Sequence, residues 1–220
     1  MLSLRGVNKK IVNCGVTYHL LKKINLKLKK GQCVSIIGPS GSGKSSLLKI
    51  IGLLDGLDSG SIIIDDINCT NISESQQTSL RLRYIGFVFQ SYNLLPDFTV
   101  LENVALPQNI LGISNNTANS NAIKLLKKLE LNNKIYHYPD QLSGGQKQIV
   151  AIARSLVNNP KIILADEPTG NLDSLNTASI LKVLMKESKQ YGVTSIIVTH
   201  NINIAEKADK IYFLQNGFLN

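Results

Sequence analysis

Apolar residues follow two rhythms along this chain. Ile24, Leu26 and Leu28 alternate with polar neighbours, which predicts a half-buried strand, and Lys30-Gly31 supplies the turn that ends it. Cys33 to Ile37 is a short apolar run of the kind that forms a fully buried strand. Ser61 to Asp65, Ile85 to Phe89, Ile162 to Ala165, Val193 to Thr199 and Ile211 to Leu214 read as further strands. Helical spacing occupies Lys44 to Leu54, Leu101 to Leu106, Ala122 to Leu131, Gly145 to Val157 and Ser174 to about Gln190, with polar connections such as Ser114-Asn115-Asn116. Strands that alternate with helices predict an α/β fold with a mostly parallel sheet and crossover connections. The helix-rich middle reads as a lobe inserted into that core.

The break after the strand Cys33–Ile37 carries chemistry. Gly38-Pro39-Ser40-Gly41-Ser42-Gly43-Lys44-Ser45 fits G-x-x-x-x-G-K-[ST] in full and lies between a buried strand and a helix, where a phosphate loop must lie. Glycines let the backbone wrap a polyphosphate with its N–H groups inward, and the helix behind adds the positive end of its dipole. Lys44 supplies a cation for the β- and γ-phosphates, and the Ser45 hydroxyl a ligand for Mg²⁺. Further on, Ile162-Ile163-Leu164-Ala165 ends in Asp166, a Walker B acid that holds the Mg²⁺ shell directly or through water. Glu167 follows at once, placed to polarise a water aimed at the γ-phosphorus; on its own it reads as well as an exposed acid before Pro168.

These two motifs admit a kinase, a GTPase or a helicase. Leu142-Ser143-Gly144-Gly145-Gln146 narrows the field, because it matches the ABC signature and lies between the Walker motifs as in that family. The chain resembles ABC transporter ATPases along nearly its whole length. The resemblance implies a P-loop NTPase (RecA-like) core with an N-terminal antiparallel β subdomain and an inserted α-helical signature subdomain. The core then takes residues 1–90 and 160–220 and the inserted subdomain 91–159, in one ABC ATPase domain. It implies ATP and Mg²⁺ as cofactors, and a head-to-tail pair in which Ser143, Gly144, Gly145 and Gln146 of one copy close over the ATP of the other. Gln90 then resembles the Q-loop glutamine that contacts the metal, Asn171-Leu172-Asp173 the D-loop that meets the partner copy, and His200 the switch histidine at the γ-phosphate.

Within the family, Asn93 to Pro107 and Ala165 to Asp173 resemble the lipoprotein-releasing (LolD) ATPases, the second stretch being shared with macrolide exporters and cell-division relatives. That implies LolC- and LolE-type transmembrane partners, a peripheral place on the cytoplasmic face of a bacterial inner membrane, and release of lipoproteins to a periplasmic carrier. Leu94, Leu95 and Phe98 then line either a docking groove for those partners or the lobe's own core. Two positions depart from the family pattern. Ile11 stands where many relatives stack an aromatic on adenine, with Tyr18 nearby, and Ile149 stands where relatives commonly carry Arg.

Composition changes little in this picture. The hydrophobic fraction of 43% is that of a globular chain, and no stretch reaches the ~20 apolar residues of a membrane span. The opening residues carry no secretory h-region, and Cys14, Cys33 and Cys69 lack metal spacing, which points to reduced thiols in a cytoplasm. The net charge of +9 is concentrated early: the first thirty residues hold Arg5, Lys9, Lys10, Lys22, Lys23, Lys27, Lys29 and Lys30 and no acid. A solvated basic edge explains this more simply than a nucleic-acid or anionic membrane surface. A DNA-acting relative would insert long coiled coils or zinc modules between Lys44 and Ser143, and neither is present, so nucleic acid is not expected as a partner.

Overall fold

The computed structural model describes residues 1–170, 184–185 and 192–220. The D-loop stretch Asn171-Leu172-Asp173, and all but two residues of the helix expected over 174–190, lie outside the described residues. The strands are β1 (Leu2–Asn13), β2 (Val16–Leu28), β3 (Cys33–Ile37), β4 (Ser59–Ile64), β5 (Ile67–Asn68), β6 (Ile85–Val88), β7 (Ile162–Asp166), β8 (Thr194–Val198), β9 (Lys210–Gln215) and β10 (Phe218–Leu219). The longer helices are α1 (Lys44–Ile51), α2 (Glu74–Tyr84), α3 (Val100–Ile110), α4 (Asn115–Lys128) and α5 (Gly144–Leu156).

Two sheets form. The first, in the order β2-β1-β4-β5, is antiparallel throughout, and two-residue turns with both residues at positive φ close its hairpins: Cys14-Gly15 (49°, 77°) and Asp65-Asp66 (49°, 66°). Such turns match the right-handed twist of the paired strands. The second sheet runs β10-β9-β3-β8-β7-β6 and is parallel from β9 to β6. Its central strands are apolar on both faces. On β7, Ile162 and Leu164 point into the core shared with α1 and the first sheet, whereas Ile163 and Ala165 point into a core shared with α5. Alternation of side chains across a pleat thus produces two cores from one uninterrupted apolar run.

The helices α3 to α5 bury a separate core in which Val100, Val104, Ala122, Leu126, Val150 and Ala153 meet. Several boundaries differ from the sequence expectation, three of them for a visible reason. Helix α1 stops at Ile51 and not Leu54, because Leu53 turns to positive φ (56°). Helix α4 starts inside the expected polar connection, at Asn115, with the Ser114 side chain accepting from the Thr117 N–H as N-cap. Helix α3 runs through Pro107 to Ile110; there the Gln108 amide donates to the Val157 carbonyl (2.8 Å) and holds this turn to the end of α5.

The basic edge is partly neutralised locally. Lys9 Nζ pairs with Asp55 at 2.7 Å, and the Lys10 backbone N–H donates to Asp58.

Strand β6 and helix α5 approach so closely at Gly86 that a Cβ there would lie 2.3 Å from the Ser155 carbonyl oxygen. That oxygen belongs to backbone, so no side-chain rotation can relieve the overlap. Gly86→Ala should therefore cost about 1–3 kcal/mol, read as a lower midpoint in chemical denaturation.

Candidate nucleotide-hydrolysis site

Four neighbouring strands of the parallel sheet, β3, β8, β7 and β6, end on one edge, and the chain leaves each end carrying a candidate residue. The phosphate loop follows β3, Thr199-His200 follow β8, Asp166-Glu167 close β7, and Gln90 lies just beyond β6. They meet around a cleft of about 460 Å³ whose lining includes Lys44, Ser45, Gln90, Asp166, Glu167 and His200. The C-terminal edge of a parallel sheet is where α/β folds place ligands, because the loops there are free of the sheet and the helix N-termini point at it.

The phosphate loop is held by geometry only glycine permits. A Cβ on Gly38 would lie 2.1 Å from the Leu214 carbonyl oxygen, and Gly43 sits at φ 98°. Gly43 is also the N-cap of α1 and brings no capping side chain, so the first-turn N–H groups of that helix stay available to an anion. The Lys44 ammonium folds back over the loop and donates to the Gly38 and Pro39 carbonyls, both at 2.9 Å. An incoming phosphate would compete for that cation. Pro39 and Ser42 belong to the same turn, in which the Ser42 N–H donates to the Pro39 carbonyl (3.3 Å).

Glu167 is held at both its backbone and its side chain. Its backbone takes a left-handed φ of 45°, a conformation that costs a residue with a Cβ about 1–2 kcal/mol. Its N–H donates to the Val198 carbonyl (2.9 Å), tying the exit of β7 to the end of β8. One carboxylate oxygen receives the Thr199 hydroxyl (3.2 Å) and the other lies 2.8 Å from His200 Nδ1. The sequence offers no sign of the direct Glu167–His200 contact, which pairs residues 33 positions apart.

Gln90 reaches the cleft from the end of β6, beside Gly170, where a Cβ would lie 3.0 Å from its Nε2. Behind it, Tyr92 and Asn93 both take positive φ (60° and 50°). The side chain of Arg154, on α5, donates from Nη1 to the Asn93 carbonyl (2.6 Å) and from Nη2 to the Tyr92 carbonyl (2.8 Å). Sequence alone does not single out Arg154, since a lone arginine near the end of a helix carries no motif.

The signature residues lie elsewhere. Ser143 is the N-cap of α5: its hydroxyl accepts from the Gln146 N–H (3.3 Å), while the Gln146 side chain accepts from the Ser143 N–H (3.0 Å). None of Ser143, Gly144, Gly145 and Gln146 lines the cleft formed by the same chain. Ile11 does line it, together with Leu20, and Tyr18 faces Ile11 across the β1–β2 pair. Ile149 is half-buried and packs against both the lobe core and the sheet core, so no charge is present at that position.

Residues 21–170 match the family model described as ABC transporter. The chain belongs to the ABC transporter family. This ABC ATPase is 49% identical over 202 residues to the lipoprotein-releasing system ATP-binding protein LolD of Ehrlichia ruminantium (strain Gardel), a match covering 91% of this chain and 89% of that one. It is 44% identical to a LolD protein of Rickettsia felis, covering 100% of this chain and 97% of that one. It is also 42% identical to LolD 2 of Caulobacter vibrioides, over 100% and 96% of the two chains. Among solved structures it is similar to the dimeric, post-hydrolysis ATP-binding cassette MJ0796 bound to ADP and Pi. That match has a TM-score of 0.93 and 43% identity, covering 100% of this chain and 97% of that one.

The carboxyl of Asp166 is pushed above the usual range. Burial is the main cause and the neighbouring Glu167 adds to it, against a hydrogen bond from Ser45 and the charges of Lys44 and Lys49. A carboxyl whose folded pKa exceeds its unfolded one binds its proton more tightly when folded, so stability grows as pH falls through the folded pKa and levels off below the unfolded one. Asp166→Asn removes the ionised form altogether. Its melting temperature should exceed that of the parent at neutral pH, and the gap should close on acidification toward pH ~4 as the parent takes up its proton. Thermal melts of both chains across that range check this; a gap that widens on acidification contradicts it.

Proposed function

We propose that this chain is the ATP-hydrolysing subunit of a lipoprotein-releasing transporter. It works as two copies docked on LolC- and LolE-type membrane subunits at the cytoplasmic face of the inner membrane. The observation that carries the cargo class is the similarity, at 40–49% identity and nearly full length, to LolD chains of several bacteria. Membrane contact comes through the partners; among the described residues no helix is long and apolar enough to cross a bilayer.

The cleft supports the chemistry. Lys44 and the uncapped N-terminus of α1 hold the β- and γ-phosphates of ATP. A Mg²⁺ ion fits the donor set, because the Ser45 hydroxyl already hydrogen-bonds the part-buried Asp166 carboxylate and Gln90 adds an amide oxygen to the same cleft. Mg²⁺ binds through one or two such ligands plus phosphate and water and needs no cluster of acids. When bound, it neutralises charge that develops on the phosphate oxygens. Glu167 accepts a proton from the water that attacks the γ-phosphorus as the bond to ADP breaks. Thr199 and His200 fix the orientation of that carboxylate, and His200, largely exposed, is placed to turn toward the γ-phosphate.

Ser143 to Gln146 act in trans, on the ATP of the second copy. This agrees with their absence from the cleft of their own chain and with the dimeric state of the MJ0796 cassette. Glu167→Gln keeps the shape of the site but removes the base, so ATP should persist between two subunits. In size-exclusion chromatography with ATP and Mg²⁺, this variant should elute as a dimer; a monomer peak at saturating nucleotide counts against the sandwich.

The docking surface is a groove of about 440 Å³ between core and lobe, lined by Phe87, Phe89, Asn93, Pro107, Ile110 and Arg154 among others. The rings of Phe87 and Phe89 stack there with centroids 5.2 Å apart. Of the residues proposed from sequence, Leu94 packs into the lobe core, while Leu95 and Phe98 are exposed but do not line this groove. Ile110 is 58% exposed, so a charge there should leave folding intact. Ile110→Glu should melt within about 2 °C of the parent, since exposed substitutions cost little, yet co-purify poorly with LolC/LolE-type partners and fail to release lipoproteins. Normal assembly and release by this variant would remove the groove from the docking surface.

A further inference from the structure

A cavity of about 540 Å³ opens at the other edge of the parallel sheet, where β7 and β8 begin. Among the described residues none lines both this cavity and the nucleotide cleft. The lobe supplies one wall: Asn121, Lys124, Leu125 and Lys128 recur at helical spacing and so present one face of α4. The core supplies the other wall, with Lys30 ahead of β3 and Lys161 ahead of β7. Buried Leu156, Val157 and Val193 add an apolar floor. Two features show that the walls are formed in advance. The buried Gln108 amide donates to the Val157 carbonyl (2.8 Å) and accepts from the Asn121 amide (3.0 Å), which fixes the polar corner. The stem of Lys30 lies over Gly192, where a Cβ would come 3.2 Å from Lys30 Cε, so the absent side chain leaves room for the lysine.

The charge here is one-sided. Among the described residues no Asp or Glu lines the cavity, and Lys30, Lys124 and Lys161 pair with no carboxylate. Like charges gathered in a concave, partly apolar surface repel one another and focus a positive potential on whatever enters. Lysine is a compact charge without a planar fork. It suits a phosphate whose oxygens are shared among several ammonium groups better than a carboxylate, which arginine holds in a matching plane. Phosphate alone would leave the aliphatic floor uncovered. We propose that this cavity is a second anion site of the chain, for a phosphate monoester that carries a short hydrocarbon body. The phosphate sits among Lys30, Lys124 and Lys161, and the hydrocarbon lies on Leu125, Leu156 and Val193. The inference is independent of cargo and of how the nucleotide cleft works.

The experiment is a calorimetric titration of the full chain with inorganic phosphate, butyl phosphate and hexyl phosphate, at saturating ADP and Mg²⁺ so that the phosphate loop is filled. Hexyl phosphate should bind saturably and about tenfold or more tighter than inorganic phosphate, since each methylene buried is worth up to about fourfold. Lys124→Glu and Lys161→Glu should each weaken it about tenfold or more, by losing a cation and adding a like charge. Lys27→Glu, an exposed reversal on β2 away from the cavity, should stay within about twofold of the parent. All three lysines are exposed, so the variants should melt within about 2 °C of the parent; Lys124→Gln and Lys161→Gln give the same readout if a reversal unfolds the chain. Vesicles containing phosphatidic acid separate the two sources of such a monoester. Co-sedimentation that Lys161→Glu abolishes assigns the site to a membrane lipid, and hexyl phosphate binding without co-sedimentation assigns it to a free ligand. Absence of saturable hexyl phosphate binding overturns the site. So does equal affinity for hexyl and inorganic phosphate, parental binding by both Lys124→Glu and Lys161→Glu, or an equal loss in Lys27→Glu.

Discussion

Register between parallel strands is the constraint on which the site depends. Val34 pairs with Ile196, Leu164 with Ile196, and Phe87 with Leu164, so β3, β8, β7 and β6 advance in step and stop together. A slip of one residue in β7 would exchange the Ile162/Leu164 face for the Ile163/Ala165 face and bury polar groups on one side. The same slip would move Asp166 and Glu167 by about 3.3 Å along the strand, out of reach of Ser45 and His200. Apolar packing on both faces therefore sets the position of the carboxylates, although the packed side chains Ile162, Ile163 and Leu164 do not line the cleft.

The lobe obeys a different logic. Its core is built from α3, α4 and α5, while the opposite side of α5 contributes Ile152 and Leu156 to the core under the parallel sheet. One helix thus belongs to two packed bodies, carries Ser143 at one end and Arg154 near the other, and lies against β6 where Gly86 has no side chain. Close-packed interiors transmit displacement and do not absorb it. The groove at this seam is where a bound segment would feel both bodies at once.

Most of the cleft was legible in the sequence because its chemistry requires fixed residues next to one another. The phosphate loop, Asp166-Glu167 and the strand-end residues Gln90 and His200 each occupy a local pattern, and the structure brings them to one place. What the sequence hid was of two kinds. Helix α2 buries no residue fully, and its few apolar residues, Leu80, Leu82 and Tyr84, gather in its last turns, where Leu80 and Tyr84 pack against the core; so short a pattern could not reveal the helix, although Ser73 and Gln76 form a capping box. The long-range contacts Glu167–His200 and Arg154 to Tyr92 and Asn93 span 33, 62 and 61 positions and have no local signature. Leu94, Leu95 and Phe98 could not be sorted into core and surface because the segment lacks regular spacing; the buried Asn103 amide, bonded to Leu95, Phe98 and Thr99, sets its course.

The wall formed by Ile11 and Leu20 has a consequence for molecular discrimination. Two aliphatic side chains sense whether a ring is flat and greasy, and nothing of the pattern of donors and acceptors around its rim. Fidelity between one purine and another needs a polar group whose partner is missing in the wrong molecule, and hydrocarbon offers none. A base resting on this wall would meet apolar contact alone, so any preference for one purine over another would have to come from other residues.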